Sequence, residues 1–285
     1  MSEPFETLKK CPFSLKESQC VFYEHELLIC GALHSKDCYS YHTLKKEYRF
    51  ICKYPKNIEL IGHCVVKIKN NKDRNEITLL SFGGPRNRVL IMKYVSIWSN
   101  ISNKSYKLNN YNQWIQLKDN YNNPIHFEST TYYSGSRAVS ETNNDLLFIA
   151  SASCTISVFD LNTLQFIKND NLPLTRREMG YGCFDYQLNM MKIIILFNFI
   201  NYLFVEVFHN SLVLEYLIPE KKWVAFKNTL PCELCHCTAI LNEKDKYIYI
   251  IGGYNGEETT SVHMRTKVRE WDPLYLVIIY LFIYL

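Results

Sequence analysis

The sequence predicts an all-β fold built from repeated four-stranded units. Three observations carry this. Aromatic residues make up 14% of the chain, with 21 Tyr and 16 Phe, and aromatics favour the pleated, half-buried surface of a strand. A short apolar run ending near glycine recurs along the chain. After most runs two aromatics follow, seven residues apart in three copies, and a proline closes three of the units.

The apolar runs come first. They read Glu26–Gly31, Ile77–Gly84, Leu146–Ser151 and Tyr247–Gly253. Taking Gly31, Gly83, Ser151 and Gly252 as equivalent, the gaps are 52, 68 and 101 residues. The last gap is about two periods long, so a degenerate copy is expected between them. Met191–Ile200 fills that slot without a glycine pair.

Each run leads to a third strand ending in an aromatic: Tyr41, Trp98, Phe159, Tyr216 and Trp271. A fourth strand then begins with Tyr48, Trp114, Phe166 or Trp223. The spacing is seven from Tyr41 to Tyr48, from Phe159 to Phe166 and from Tyr216 to Trp223. Trp98 and Trp114 are 16 apart, which places a polar, Asn-rich insertion at Asn100–Asn112. Pro55, Pro173 and Pro231 close three copies, since proline cannot donate to a strand ladder. The openings Gln19-Cys, His63-Cys, Arg137-Ala and His236-Cys also align.

Four short strands per unit, a period of about 50 residues and a glycine pair after the second strand together resemble a kelch-repeat β-propeller. The units are expected at 19–55, 63–124, 137–173, 180–231 and 236–272, about five four-stranded blades in all. The repeat signature consists of Gly31, Gly83, Gly84, Gly252 and Gly253 with the aromatics named above. Glycine suits a crowded strand end because it tolerates positive φ and close backbone approach. The last unit lacks a fourth strand of its own. Phe5-Glu-Thr-Leu-Lys-Lys-Cys-Pro12 repeats the fourth-strand signature, so residues 4–12 are expected to complete the last blade. That would also remove an exposed sheet edge.

Composition narrows the function. The formal net charge is +4, without a dense basic run, too mild to call for nucleic acid. Eleven cysteines with no apolar leader at Met1–Gln19 predict a reducing, cytoplasmic setting. Cys20, Cys30, Cys38, Cys52, Cys64 and Cys154 lie in apolar strand-like runs, where a free thiol acts as a small hydrophobe. The apolar tail at 273–285 falls short of the roughly 20 residues that span a bilayer, so no membrane anchor is expected. Met190–Phe208 is interrupted by Lys192 and Glu206 and reads as two buried strands.

No motif carries catalytic chemistry. Cys232-Glu-Leu-Cys235-His236 matches the spacing of a haem attachment site, but His236 is accounted for by the repeat, and no cofactor or metal is expected. Gly252–Gly256 lacks the Lys-Ser/Thr and helix of a phosphate loop. The kelch resemblance implies a non-catalytic module that binds a protein partner through blade loops: Ala32–Lys36, Gly84–Arg88, Asn100–Asn112 and Tyr254–Ser261. The missing glycines of the fourth unit leave open a degenerate copy without stable activity. Galactose-oxidase-like copper enzymes share the fold type, but no set of two His and two Tyr stands out here.

Overall fold

A computed structural model describes residues 5–71, 76–85, 87–99, 110–127, 136–141, 145–150, 155–171, 206–207, 212–217, 222–229, 231–232, 234, 236–242 and 244–267. Among these residues there are strands and turns and no helix. The strands form antiparallel sheets, four of them four-stranded and one three-stranded. This architecture is compatible with a propeller-like fold. The chain divides into two compact units, residues 18–184 and residues 1–17 with 185–285.

The chain opens with β1 (Phe5–Thr7). The first sheet is a meander of β2 (Cys20–Tyr23), β3 (Glu26–Ala32), β4 (Ser35–His42) and β5 (Glu47–Lys53). The second is β6 (His63–Asn71), β7 (Glu76–Gly83), β8 (Leu90–Val95) and β9 (Ile115–Gln116). The third is β10 (Arg137–Glu141), β11 (Leu146–Ala150), β12 (Thr155–Asp160) and β13 (Gln165–Asn171). In the other unit, β14 (Glu206–Val207), β15 (Leu212–Leu217) and β16 (Lys222–Thr229) form the three-stranded sheet. Finally β17 (Thr238–Asn242), β18 (Tyr247–Ile251) and β19 (His263–Lys267) take β1 as their fourth strand, in the order β1-β19-β18-β17.

The seven-residue spacing has a direct structural meaning. Tyr41 lies opposite Tyr48, Phe159 opposite Phe166 and Tyr216 opposite Trp223. Each pair flanks a hairpin with a four-residue loop. Two of these loops end the same way. Lys46 and Leu164 take φ of 56° and 57°, and their N–H groups donate to the His42 and Asp160 carbonyls. The Asp160 carboxylate also accepts from Asn162 N and Thr163 N, a side-chain turn that fixes the loop. These backbone bonds hold the Asp160 carboxyl below its ordinary value.

β7 shows why some strands read as unbroken apolar runs. Its Ile77 and Leu79 pack with Leu28, Cys30, Met92 and Trp114 between the first and second sheets. Its Leu80 and Phe82 pack with Phe127, Leu147, Ile149 and Phe159 between the second and third. A strand covered on both faces loses the alternation of apolar and polar residues. In the other unit, Phe5 of β1 joins Leu234, Cys237, Ile248, Ile250 and Met264 in a core of their own.

Several expectations shift. Continuing the ladders from each sheet's glycine end, the slot of Tyr41 and Phe159 is taken in the second sheet by Met92, and in the last by Thr266. Trp98 lies past the end of β8 in a turn, not on the third strand, and Trp271 lies outside the described residues. The fourth-strand slot does hold an aromatic in the last sheet, because Phe5 faces Thr266. Trp114 immediately precedes β9, whose Ile115 faces Ile91. The repeat openings are also offset. His63 faces Gly83, whereas Arg137 faces Ala150, and Cys30 N donates to the Gln19 carbonyl. The residues equivalent to His63 are therefore Ser18, Ser136 and Cys237, each one position from the expected match. In the fourth unit, β15 pairs with Glu206–Val207; Met191–Ile200 lies outside the described residues, as does 273–285.

Candidate functional site

Three of the loops expected to carry binding, Ala32–Lys36, Gly84–Arg88 and Tyr254–Ser261, sit at strand ends whose geometry depends on glycine; Asn112 of the fourth lies at the other end of its sheet, beside Val95. Gly31 has φ +69°. A Cβ there would stand 2.5 Å from Leu60 Cδ1. Gly84 has φ +77°, and a Cβ would meet the Glu59 carbonyl oxygen at 2.7 Å. In the other unit, Gly252 has φ +63°, and a Cβ would meet the Leu15 carbonyl oxygen at 2.4 Å. Gly253 N donates to that same carbonyl at 2.7 Å. The reason for the glycines is common to these sites. The segment leading into a sheet, Glu59–Leu60 or Leu15, crosses directly over a strand end, and only a residue without Cβ leaves room.

Between these elements of the first unit lies a shallow cleft lined by Asn57–Leu60, His63, Ser81–Gly83, Arg88 and Leu90. It has room for about one water molecule. His63 is buried on its inner side. Its ring nitrogens lie 2.9 Å from the Leu60 carbonyl oxygen and 2.8 Å from that of Cys30. The ring thus ties the linker to the end of β3. The phenol of Tyr54 donates to Ser81 Oγ at 3.1 Å, and its ring stacks on Trp114 at 4.8 Å. Burial pushes the Tyr54 hydroxyl well above its ordinary value. Both groups join strand ends to linkers, His63 through backbone carbonyls and Tyr54 through the Ser81 hydroxyl.

The loops differ from their expected extents. Ala32–Lys36 is mostly strand: Ala32 faces Ser35, leaving Leu33-His34 as a two-residue turn. Gly84–Arg88 turns through Asn87, with φ 46°. Arg88 bridges to His126, and Phe127 N donates to the Asn87 carbonyl at 3.0 Å. In the other unit, Tyr254 bridges to Thr259. The Asn255 side-chain oxygen accepts from Glu257 N and Glu258 N at 3.0 and 2.8 Å, holding both exposed glutamates on an ordered turn. Of Asn100–Asn112 only its last three residues are described. There Asn112 receives Val95 N at 2.9 Å and Tyr111 donates to Glu76 at 2.7 Å.

Sequence reasoning missed two features. Phe127 is fully buried and touches the rings of Phe82, Phe159 and Phe166, yet it belongs to no repeat slot. Lys118–Pro124 forms a further turn, with Asp119 accepting from Tyr121 N and Asn123 N and Tyr121 87% exposed at its tip. The Asp-x-x-x-Asn pattern was the available signal.

The thiols behave as core. Cys20, Cys30, Cys38 and Cys64 are buried, and Cys52 is partly so; Cys154 lies outside the described residues. Cys30, Cys38 and Cys52 stand opposite one another on β3, β4 and β5. Burial raises the Cys38 thiol. A hydrogen bond with Cys38, together with burial, raises that of Cys52. Thiols held protonated in this way are poor nucleophiles. Among the described residues, no group of three His, Cys, Asp or Glu is arranged to hold a metal, and no helix is long and apolar enough to cross a membrane.

No family model matches the chain, and no curated protein matches it. Among solved structures it is similar to one described as "Structure of YjhT", with a TM-score of 0.32 and 13% identity. The match covers 87% of this chain and 61% of that one, so the chain spans less than two thirds of that protein's length. A likeness at this level carries nothing over to this chain.

Proposed function

We propose that the chain is a non-catalytic protein-interaction module built on kelch-like repeats. On this reading the four-stranded sheets are blades of a propeller, and β1 is the strand that closes the ring. The observation that supports it is the way turns are held at the glycine ends. Asn255, Arg88 and Phe127 fix short polar turns by hydrogen bonds to backbone or by bridging strands. Binding residues are commonly carried on loops held by a rigid scaffold. The partner is a protein that reads polar turns, and the setting is cytoplasmic.

The test is affinity purification followed by mass spectrometry, comparing the full chain with variants Arg88→Ala and Glu257→Ala/Glu258→Ala. Both substitutions lie on exposed or half-exposed turns, and their unfolding midpoints are checked first. The reading expects a set of proteins retained by the full chain and lost from at least one loop variant. Identical sets for all three proteins would overturn it.

A further inference from the structure

The opposite end of the first sheet carries a built cationic surface. Trp98, which leaves the end of β8, packs against β4 and donates its Nε1–H to Ser40 Oγ at 2.8 Å. Three groups surround its ring. The Arg49 guanidinium lies 4.1 Å from the ring centroid and the Lys45 ammonium 5.2 Å. The His42 imidazole meets it edge-on at 5.1 Å. Arg49 also donates from Nη1 to the Ile97 carbonyl at 3.2 Å. Beneath them, the buried Glu26 carboxylate accepts from the Ser40 and Tyr94 hydroxyls. Among the described residues, no carboxylate is ion-paired with Arg49 or Lys45.

The β4–β5 hairpin is cationic. Residues 42–50 carry Lys45, Lys46 and Arg49 against Glu47. Leu44, in the hairpin loop, is 70% exposed, and Phe50, on the opposite face of β5 from Arg49, is 47% exposed. β5 is the terminal strand of its sheet among the described residues.

We propose that the β4–β5 hairpin is a docking surface for an acidic, extended peptide segment of a partner protein. Its carboxylates meet Arg49 and Lys45, and its apolar residues rest on Leu44 and Phe50. Holding the two cations against Trp98 before binding lowers the ordering cost of forming these contacts. The three cations of the hairpin favour acidic over neutral chains. The exposed edge of β5 suits an extended ligand that aligns as an added strand. This surface lies at the other end of the sheet from the glycine turns, so it stands or falls separately from the loop reading.

The test is fluorescence anisotropy with a fluorescein-labelled peptide alternating Glu with Leu or Phe, and with its Gln counterpart, at low salt. The full chain is expected to bind the Glu peptide and not the Gln peptide. Lys45→Glu/Arg49→Glu is expected to weaken binding by about tenfold or more, while Lys118→Glu, on a turn elsewhere in the same unit, leaves it unchanged. Lys45→Glu alone, which keeps the Arg49–Ile97 bond, serves if the double variant unfolds, and is expected to weaken binding severalfold. Equal binding of both peptides, an equal loss with Lys118→Glu, or no binding of the Glu peptide would overturn the proposal. Any of these would leave the loop-variant comparison intact.

Discussion

Glu6 and Arg265 face each other on neighbouring strands, and the guanidinium Nε donates to the carboxylate at 2.8 Å. The contact joins the two ends of the sequence within one sheet. Arg265 also lies 4.3 Å from the centre of the Tyr247 ring and donates to the Tyr249 hydroxyl at 3.2 Å. Around this pair, Leu8 N and Cys11 N donate to the carbonyls of His263 and Ser261. Deleting residues 1–12 removes these bonds together with the buried side chains of Phe5, Leu8 and Cys11. The unfolding midpoint, followed by circular dichroism, is expected to fall by several degrees. Glu6→Ala alone is expected to cost less than about 1 kcal/mol, because Glu6 is partly exposed and such pairs contribute little. An unchanged midpoint after the deletion would contradict the pairing.

Replacing the glycines separates strain from collision. At Gly252, alanine meets both a left-handed φ and the Leu15 backbone, so Gly252→Ala is expected to cost more than about 3 kcal/mol. At Gly31 the obstacle is the end of the Leu60 side chain, which can turn aside, so the cost is expected to be smaller. At Gly256, φ is +95° but nothing lies near the added Cβ, so only conformational strain is expected, about 1–2 kcal/mol. Denaturant midpoints in that order test the argument; equal costs at Gly252 and Gly256 would contradict it.

Phe127→Ala removes a fully buried ring at the centre of an aromatic cluster. It is expected to destabilise the fold by about 3–5 kcal/mol. A loss below 1 kcal/mol, measured by chemical unfolding, would show that the segment before residue 128 is peripheral.

His263 sets a pH dependence. Burial holds its imidazole down at about 4, below the value of about 6.5 in the unfolded chain. The unfolded state therefore takes up the proton first. The stability contributed by the neutral ring is complete above pH 6.5 and is lost as pH falls from there towards 4. The loss is on the order of 3 kcal/mol. His263→Gln should flatten this part of the curve of stability against pH; an unchanged slope would contradict it.

Much of the fold is legible in the sequence because hairpin geometry writes itself into spacing. A seven-residue gap between aromatics is a cross-strand pair around a four-residue loop, as with Tyr41 and Tyr48. Phe5 could be read as a fourth-strand aromatic because the same slot recurs, and it faces the Tyr41-equivalent position, Thr266. Trp98 departs from the expected third strand for a physical reason. An aromatic close to a strand end looks like part of the strand, but Trp98 turns away to bond Ser40 on the neighbouring sheet. The repeat openings align one residue away from their ladder equivalents because Cys64 and Cys20, both buried, mimic each other in sequence while occupying different ladder positions. The cationic surface was hidden for a similar reason: Lys45 and Arg49 become neighbours of Trp98 only once β4, β5 and β8 are side by side.

The most direct test of the central claim, that the two ends of the chain build one sheet, is hydrogen exchange resolved to peptides. Residues 5–12 are expected to exchange slowly in the full chain. Deleting them is expected to speed exchange in β19 while the first and second sheets keep their protection. Exchange of residues 5–12 at the rate of an unstructured peptide, with β19 unaffected by the deletion, would contradict it.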